Sequence, residues 1–251
     1  MILPIILRRR PNLSDFLLLF FLICPAVVWA DPSDSMIEKI QEAEKSVVHI
    51  QAAGGSILKS PQARAAINPH TGQIIVARGI KTAEIKRSGT GVIINAEGMI
   101  VTNFHTIQYA QTILVTFFSG ESIPAKIVHM IPQSDLALLK VDPPFPLRPI
   151  ILADSNKVEL GDDVVDIGGS RVLYHVLSGG RIIGLAKNNL TQAVEFIKVN
   201  IDLYKGDSGG PLLNRQGELV GMIMAEIKNK DKSTLAIPSN KIKILYLDFI
   251  N

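Results

Sequence analysis

One stretch of the chain combines residue types that could do chemistry: Gly206-Asp207-Ser208-Gly209-Gly210-Pro211-Leu212. Glycines flanking a serine let the backbone turn tightly and let a substrate carbonyl approach, and the N–H groups of Gly206 and Ser208 can converge on one point. That is the equipment of acyl transfer through a serine nucleophile, although a Gly-rich hairpin turn has the same composition. The segment also satisfies G-x-S-x-G, the nucleophile elbow of α/β-hydrolases, in which the histidine follows the serine. All five histidines here, at 49, 70, 105, 129 and 175, precede Ser208, and that order excludes the elbow.

A serine hydroxyl needs a base, and the base needs an orienting carboxylate. His105 ends the apolar run Met99 to Phe104, and Asp135 leads into Leu136-Ala137-Leu138-Leu139-Lys140 from a polar turn. Singly, each has a plain structural role available, a strand-end histidine and a turn-capping aspartate. Together with Ser208 they supply nucleophile, base and orienter in the order His, Asp, Ser. Asp202, six residues before Ser208, reads on its own as a solvated loop residue facing Lys205. The histidines lack paired ligand spacing such as H-E-x-x-H, so neither a metal nor another cofactor is expected.

The elements that must position these residues are mostly short β-branched and aliphatic runs. They lie at 91–95, 99–102, 112–117, 122–130 and 136–141, and again at 163–168, 175–185, 196–200, 211–214, 219–225 and 234–237. Runs at spacings near ten residues, divided by turn residues, imply an all-β barrel or sandwich. Asp142 to Pro149 holds four of the fourteen prolines and is a natural linker between two β-rich halves. Residues 51–87, punctuated by Gly54, Gly55, Pro61 and Pro69, read as a long, mobile surface insertion with one strand at 73–78. A short helix is expected behind the capping box of Ser35 and Glu38, and another behind Ser239.

Residues 1–30 have the order of a secretory signal: Arg8, Arg9 and Arg10, an apolar run from Phe16, then Val28 and Ala30 before a cut ahead of Asp31. The run from Phe16 to Ala30 is interrupted by Pro25 and is shorter than the roughly 18 to 20 residues of a spanning helix, so export to the periplasm or medium is expected. Membrane attachment follows only if the segment stays uncleaved. Cleavage removes the one cysteine and lowers the formal charge from +3 to +1. No long basic stripe of the kind that binds nucleic acid is present.

Taken together, the stretches at 88–95 (SGTGVIIN), 98–105 (GMIVTNFH), 134–140 (SDLALLK), 160–168 (LGDDVVDIG), 206–213 (GDSGGPLL), 217–221 (GELVG) and 235–240 (LAIPSN) resemble the HtrA/Deg branch of the chymotrypsin-like serine peptidases. The resemblance implies two perpendicular six-stranded β-barrels with the active site between them and short terminal helices. It implies His105 as general base, Asp135 as its orienter, Ser208 as nucleophile, and Gly206 with Ser208 as oxyanion-hole donors; six residues before the serine is also where trypsin-like enzymes hold a pocket carboxylate, which would make Asp202 a selector of basic side chains, with small aliphatic residues as the competing preference. By the same resemblance residues 31–251 are a protease domain acting on peptides and unfolded exported proteins, with a trimer as the implied assembly; the PDZ domains that follow the protease in the family are not expected here, a departure from its pattern. The alternative is a silent double barrel that binds without turnover, and the complete set of three residues argues against it. Two further departures are visible: the family usually has Asn where Asp207 stands, and its Gly-Asn-Pro stretch reads Gly168-Gly169-Ser170. No partner for Asp207 is apparent beyond the candidates Lys205 and Arg171.

Overall fold

The computed structural model describes residues 34–67, 74–171, 174–227 and 233–250. The signal-like segment lies outside them. Helix α1 (Asp34–Glu44) leads into strands β1 (Val47–Ile67), β2 (Ile74–Ile93) and β3 (Met99–Asn103). The short helix α2 (Phe104–Ile107) is followed by β4 (Thr112–Thr116), β5 (Ser122–Pro124), β6 (Lys126–Ile131) and β7 (Leu136–Lys140). After the proline-rich crossing, which carries no strand, come β8 (Asp163–Arg171), β9 (Tyr174–Lys187), β10 (Val194–Val199), β11 (Pro211–Leu213), β12 (Leu219–Ile227), β13 (Ser233–Pro238) and helix α3 (Ser239–Ile250).

The second half closes into a six-stranded barrel in the order β10-β13-β12-β11-β8-β9. The first half is a seven-stranded sheet, β5-β4-β1-β2-β3-β7-β6. Its two edge strands are separated in the chain by Ala125 alone, so the sheet must roll until its edges meet. The run at 122–130 therefore forms two strands instead of one. Pro124 has no N–H to continue the ladder, and the Ala125 N–H turns to the Ile113 carbonyl at 2.9 Å. Counted as one bent strand, β5 and β6 bring the first half to six.

Residues 51–87 correct the sequence reading. The described parts of this stretch, 51–67 and 74–87, belong to one antiparallel ladder: β1 and β2 pair from Val47↔Val92 to Ile67↔Ile74 with two register shifts between. Of the residues that looked like breakers, Gly54, Gly55 and Pro61 sit at irregularities of this ladder, and Pro69 lies outside the described residues. One register shift falls at Gly54, whose φ of +134° suits glycine, and the other spans Lys59 to Gln62, where Pro61 has no N–H to offer.

Strand alternation builds the core. In β3 and β7, Ile100, Ala137 and Leu139 face the interior of the first barrel with Ile50 and Val115. Their neighbours Val101, Leu136 and Leu138 face the other way and pack with Leu213, Met222 and Ile237 of the second half and with Ile40 and Ile242 of the helices. Both faces of these strands are thus buried, which is why they read as continuous apolar runs. At about 1.5–3 kcal/mol per buried aliphatic side chain, this shared cluster fixes one barrel against the other and sets the distance between the residues they carry.

Candidate active site

His105 does not end the β3 strand, as its sequence context suggested. The chain leaves β3 at Asn103 and turns into α2, placing His105 in the first turn of that helix. The cause is Asp135. Its carbonyl accepts the Phe104 N–H at 3.0 Å and the Asn103 side-chain amide at 3.2 Å. Its Oδ1 accepts the His105 N–H at 2.9 Å, and its Oδ2 lies 2.7 Å from Nδ1 of the imidazole. Asp135 itself closes the 3-10 turn Pro132–Ser134 with a left-handed backbone, φ +53° and ψ +37°, a conformation aspartate tolerates better than most residues. One carboxylate therefore fixes both the backbone and the ring of His105. With Nδ1 donating to that carboxylate, the neutral imidazole presents Nε2 as an acceptor. The imidazole is 41% exposed and the carboxylate 21%, so the ring reaches solvent while its anchor is shielded.

Ser208 follows a turn built by Tyr204, Lys205, Gly206 and Asp207. The Asp207 N–H donates to the Tyr204 carbonyl at 3.1 Å, and Gly206, third in the turn, has φ +108°. A positive φ at that position is the mark of a type II turn; a type I turn would reverse the peptide between Lys205 and Gly206. Among the described residues, neither the Gly206 nor the Ser208 N–H has an acceptor. The Ser208 hydroxyl makes a long contact of 3.5 Å to the Met224 carbonyl.

Strand β2 of the first barrel clasps this loop of the second. The Thr90 N–H donates to the Ser208 carbonyl at 2.8 Å and its hydroxyl to the Gly206 carbonyl at 2.7 Å. The Thr90 carbonyl in turn accepts the Thr102 hydroxyl at 2.7 Å. Gly209, with φ +89°, passes so close that a Cβ there would lie 2.0 Å from the Thr90 carbonyl oxygen. Thr90 lies within the stretch at 88–95, but a bond across 116 positions of sequence leaves no local trace.

His105 and Ser208 line one cleft of about 620 Å³, together with Arg87, Ser88, Thr106 and Lys205. Arg87 donates to the His105 carbonyl at 2.6 Å. Asp202 is not brought into this cleft. Ile201 is buried, its carbonyl taken by the Thr234 hydroxyl at 2.7 Å, and the next side chain, Asp202, faces solvent. Asp207 is buried, and its Oδ2 accepts the Tyr204 N–H at 2.6 Å. Lys205 forms no ion pair with it and is exposed, while the side chain of Arg171 lies outside the described residues. Burial raises the Asp207 carboxyl above its ordinary range, opposed by the Tyr204 N–H. Asp166 on β8, which nothing in the sequence singled out, is also buried. Burial and the nearby charge of Asp207 push it up well above that range.

A histidine oriented by a carboxylate, a serine across the cleft and two uncommitted N–H groups can carry out acyl transfer. Residues 89–222 match the family model of the trypsin-like peptidase domain. The periplasmic pH-dependent serine endoprotease DegQ of Escherichia coli is 37% identical over 169 residues, 65% of this chain and 37% of that protein. The periplasmic serine endoprotease DegP of Salmonella typhimurium is 37% identical over 163 residues, 62% of this chain and 34% of that protein. The match thus spans little more than a third of either relative's own length. An HtrA-type protease, AlgW, solved with a decapeptide, superposes with a TM-score of 0.73 at 23% identity, covering 86% of this chain and 67% of that one, a likeness of fold. With the double barrel and the matched motifs, these findings establish that the chain belongs to the trypsin-like peptidase domains, in their HtrA-type branch.

Proposed function

We propose that the protein is a serine endopeptidase in which Ser208 is the nucleophile, His105 the general base, Asp135 its orienter, and the Gly206 and Ser208 N–H groups the oxyanion hole. The observation that carries this reading is the double grip of Asp135 on His105, 2.9 Å to its N–H and 2.7 Å to Nδ1, beside a serine loop with two unengaged donors.

In the reaction, Ser208 Oγ bonds to the substrate carbonyl carbon as its proton passes to His105 Nε2. The carbonyl oxygen becomes anionic between the two N–H groups. The imidazolium, stabilised by Asp135, gives its proton to the departing amine as the C–N bond breaks. Water repeats the sequence on the acyl-enzyme and frees the carboxylic acid. Before this, the Ser208 hydroxyl leaves its long contact with Met224 and turns to His105, a tightening common when substrate binds.

The relatives' periplasmic setting and the signal-like residues 1–30 support export, with cleavage ahead of Asp31, and unfolded exported proteins are the proposed substrates. A preference for basic residues through Asp202 finds no support in the geometry, because that side chain is exposed and does not line the cleft. The test is casein degradation and fluorophosphonate labelling by the purified protein beside Ser208→Ala. The mutant should lose all labelling and roughly four to six orders of magnitude in rate. A folded wild type that neither cleaves nor labels would refute the proposal.

A further inference from the structure

Beneath the serine loop lies an acid that the chemistry above does not use. Alternation along β8 puts Asp166 and Gly168 on the same face. Because Gly168 has no side chain, the Asp207 carboxyl can lie against that strand: a Cβ at 168 would stand 2.2 Å from Asp207 Oδ1. Gly210 closes the other side, where a Cβ would stand 3.0 Å from Asp166 Oδ1 and 2.9 Å from the Asp207 carbonyl oxygen. Asp166 and Asp207 are 0% and 1% exposed. Among the described residues, both oxygens of Asp166 and Oδ1 of Asp207 lack a hydrogen-bond partner of ordinary geometry; the remaining oxygen, Asp207 Oδ2, holds the Tyr204 N–H.

No cation balances this pair among the described residues. On β8 itself the Ile167 N–H favours the ionised form of Asp166, and from the loop the charge of Asp207 disfavours it. The partners of Asp166 across the ladder are uncharged, Ser178 on β9 and Leu212 on β11. From β2 the contribution to the loop is the uncharged Thr90. The cation nearest in sequence, Lys205, lines the cleft. Two ionised carboxylates buried side by side would each face desolvation and mutual repulsion, and such pairs retain a proton.

We propose that Asp166 is a positioning residue, a neutral carboxylic acid whose O–H hydrogen-bonds to the Asp207 carboxylate and so holds the Tyr204–Asp207 turn in the form that presents the Gly206 and Ser208 N–H groups to the cleft. The shared proton supplies the missing donor for Asp207 and leaves the pair with one negative charge, which the Tyr204 N–H meets. When the proton is lost, repulsion drives Asp207 from Asp166, frees the Tyr204 N–H and removes the constraint that keeps the turn in its type II form. Activity therefore falls as the pair loses its proton at rising pH. The catalytic consequence rests on the proposed peptidase activity; the shared proton does not.

The experiment has two readouts on the full-length protein. In the first, infrared spectroscopy at neutral pH should show the carbonyl band of a protonated carboxylic acid that vanishes as pH rises and is missing in Asp166→Asn. In the second, the rate of fluorophosphonate labelling is followed against pH. The wild type should show a bell, whereas Asp166→Asn, whose amide donates at every pH, should label within about threefold of wild type at neutrality and lose the falling limb. Asp166→Ala, with no donor, should label on the order of tenfold more slowly throughout. The proposal is overturned if the wild type has no acid band, or if the wild-type and Asp166→Asn profiles superpose. The wild-type band decides the matter even if the variants do not fold. A wild type with the band but no labelling at any pH refutes the peptidase activity and leaves the shared proton in place.

Discussion

Replacing Thr90 by valine removes one hydroxyl and little else. Thr90 is fully buried, valine has nearly the same shape, and the bond from the backbone N–H to the Ser208 carbonyl survives the change. What disappears is the 2.7 Å bond to the Gly206 carbonyl, whose peptide plane sets the direction of the adjoining loop. Stranding an acceptor in this way costs about 1–3 kcal/mol. At 1.36 kcal/mol per factor of ten, the loss in kcat/KM is roughly 5- to 150-fold if the clasp acts through the oxyanion donors. The assay pairs hydrolysis of a fluorogenic peptide with fluorophosphonate labelling, which reads the serine loop without substrate-binding terms, and a thermal unfolding midpoint. Both rates should fall by the same factor. If the midpoint drops while labelling keeps its wild-type rate, the clasp only joins the two barrels, and the reasoning from Thr90 to the oxyanion hole fails.

Asp135→Asn keeps the shape of the orienter but cannot accept from both the N–H and the ring of His105; turnover should fall by about four orders of magnitude with native circular dichroism, and an activity within tenfold of wild type would remove Asp135 from the mechanism. Gly209→Ala forces a Cβ to within 2.0 Å of the Thr90 carbonyl at a φ of +89°. The backbone strain alone is about 1–3 kcal/mol, so the urea midpoint should drop clearly, and an unchanged midpoint contradicts the described packing. Asp166 also enters the pH dependence of stability. Its folded carboxyl is raised, so the contribution is fully present below the ordinary carboxylate pKa of about 4 and is lost as pH rises through the folded value. The wild-type unfolding midpoint should decline over that window, and Asp166→Asn should decline less.

Much of the candidate site was legible because the chemistry proposed for it is written in residue types and order. His105, Asp135 and Ser208 could be paired before any geometry was known, and the position of every histidine before Ser208 removed the main rival fold. The double barrel was legible where burial on both faces makes continuous apolar runs, as in β3 and β7. Legibility failed where long-range contacts override local signals. Gly54 and Pro61 look like breakers, yet they occupy irregularities in a ladder that continues on either side. Pro124 divides one apparent strand between two edges of the sheet. Asp202 stood at a suggestive offset from Ser208, but an offset says nothing about which side of the chain faces inward, and its buried neighbour Ile201 turns it outward. Thr90 and Asp166 were missed for a related reason: a threonine among glycines and an aspartate between Val165 and Ile167 acquire meaning only when a loop from elsewhere settles on them.

The proline-rich crossing at 142–149 separates the imidazole and its carboxylate from the hydroxyl. A chain that ends before the second barrel carries His105 and Asp135 without Ser208, so under the proposed mechanism no peptidase exists until the last third of the chain has been made. The same division makes the molecule separable. Under the proposed mechanism, a cut in the crossing would leave the base on one fragment and the nucleophile on the other, and activity would require the cluster around Val101, Leu138, Leu213 and Met222 to close between them. Hydrolysis then becomes a direct report that two polypeptides have met.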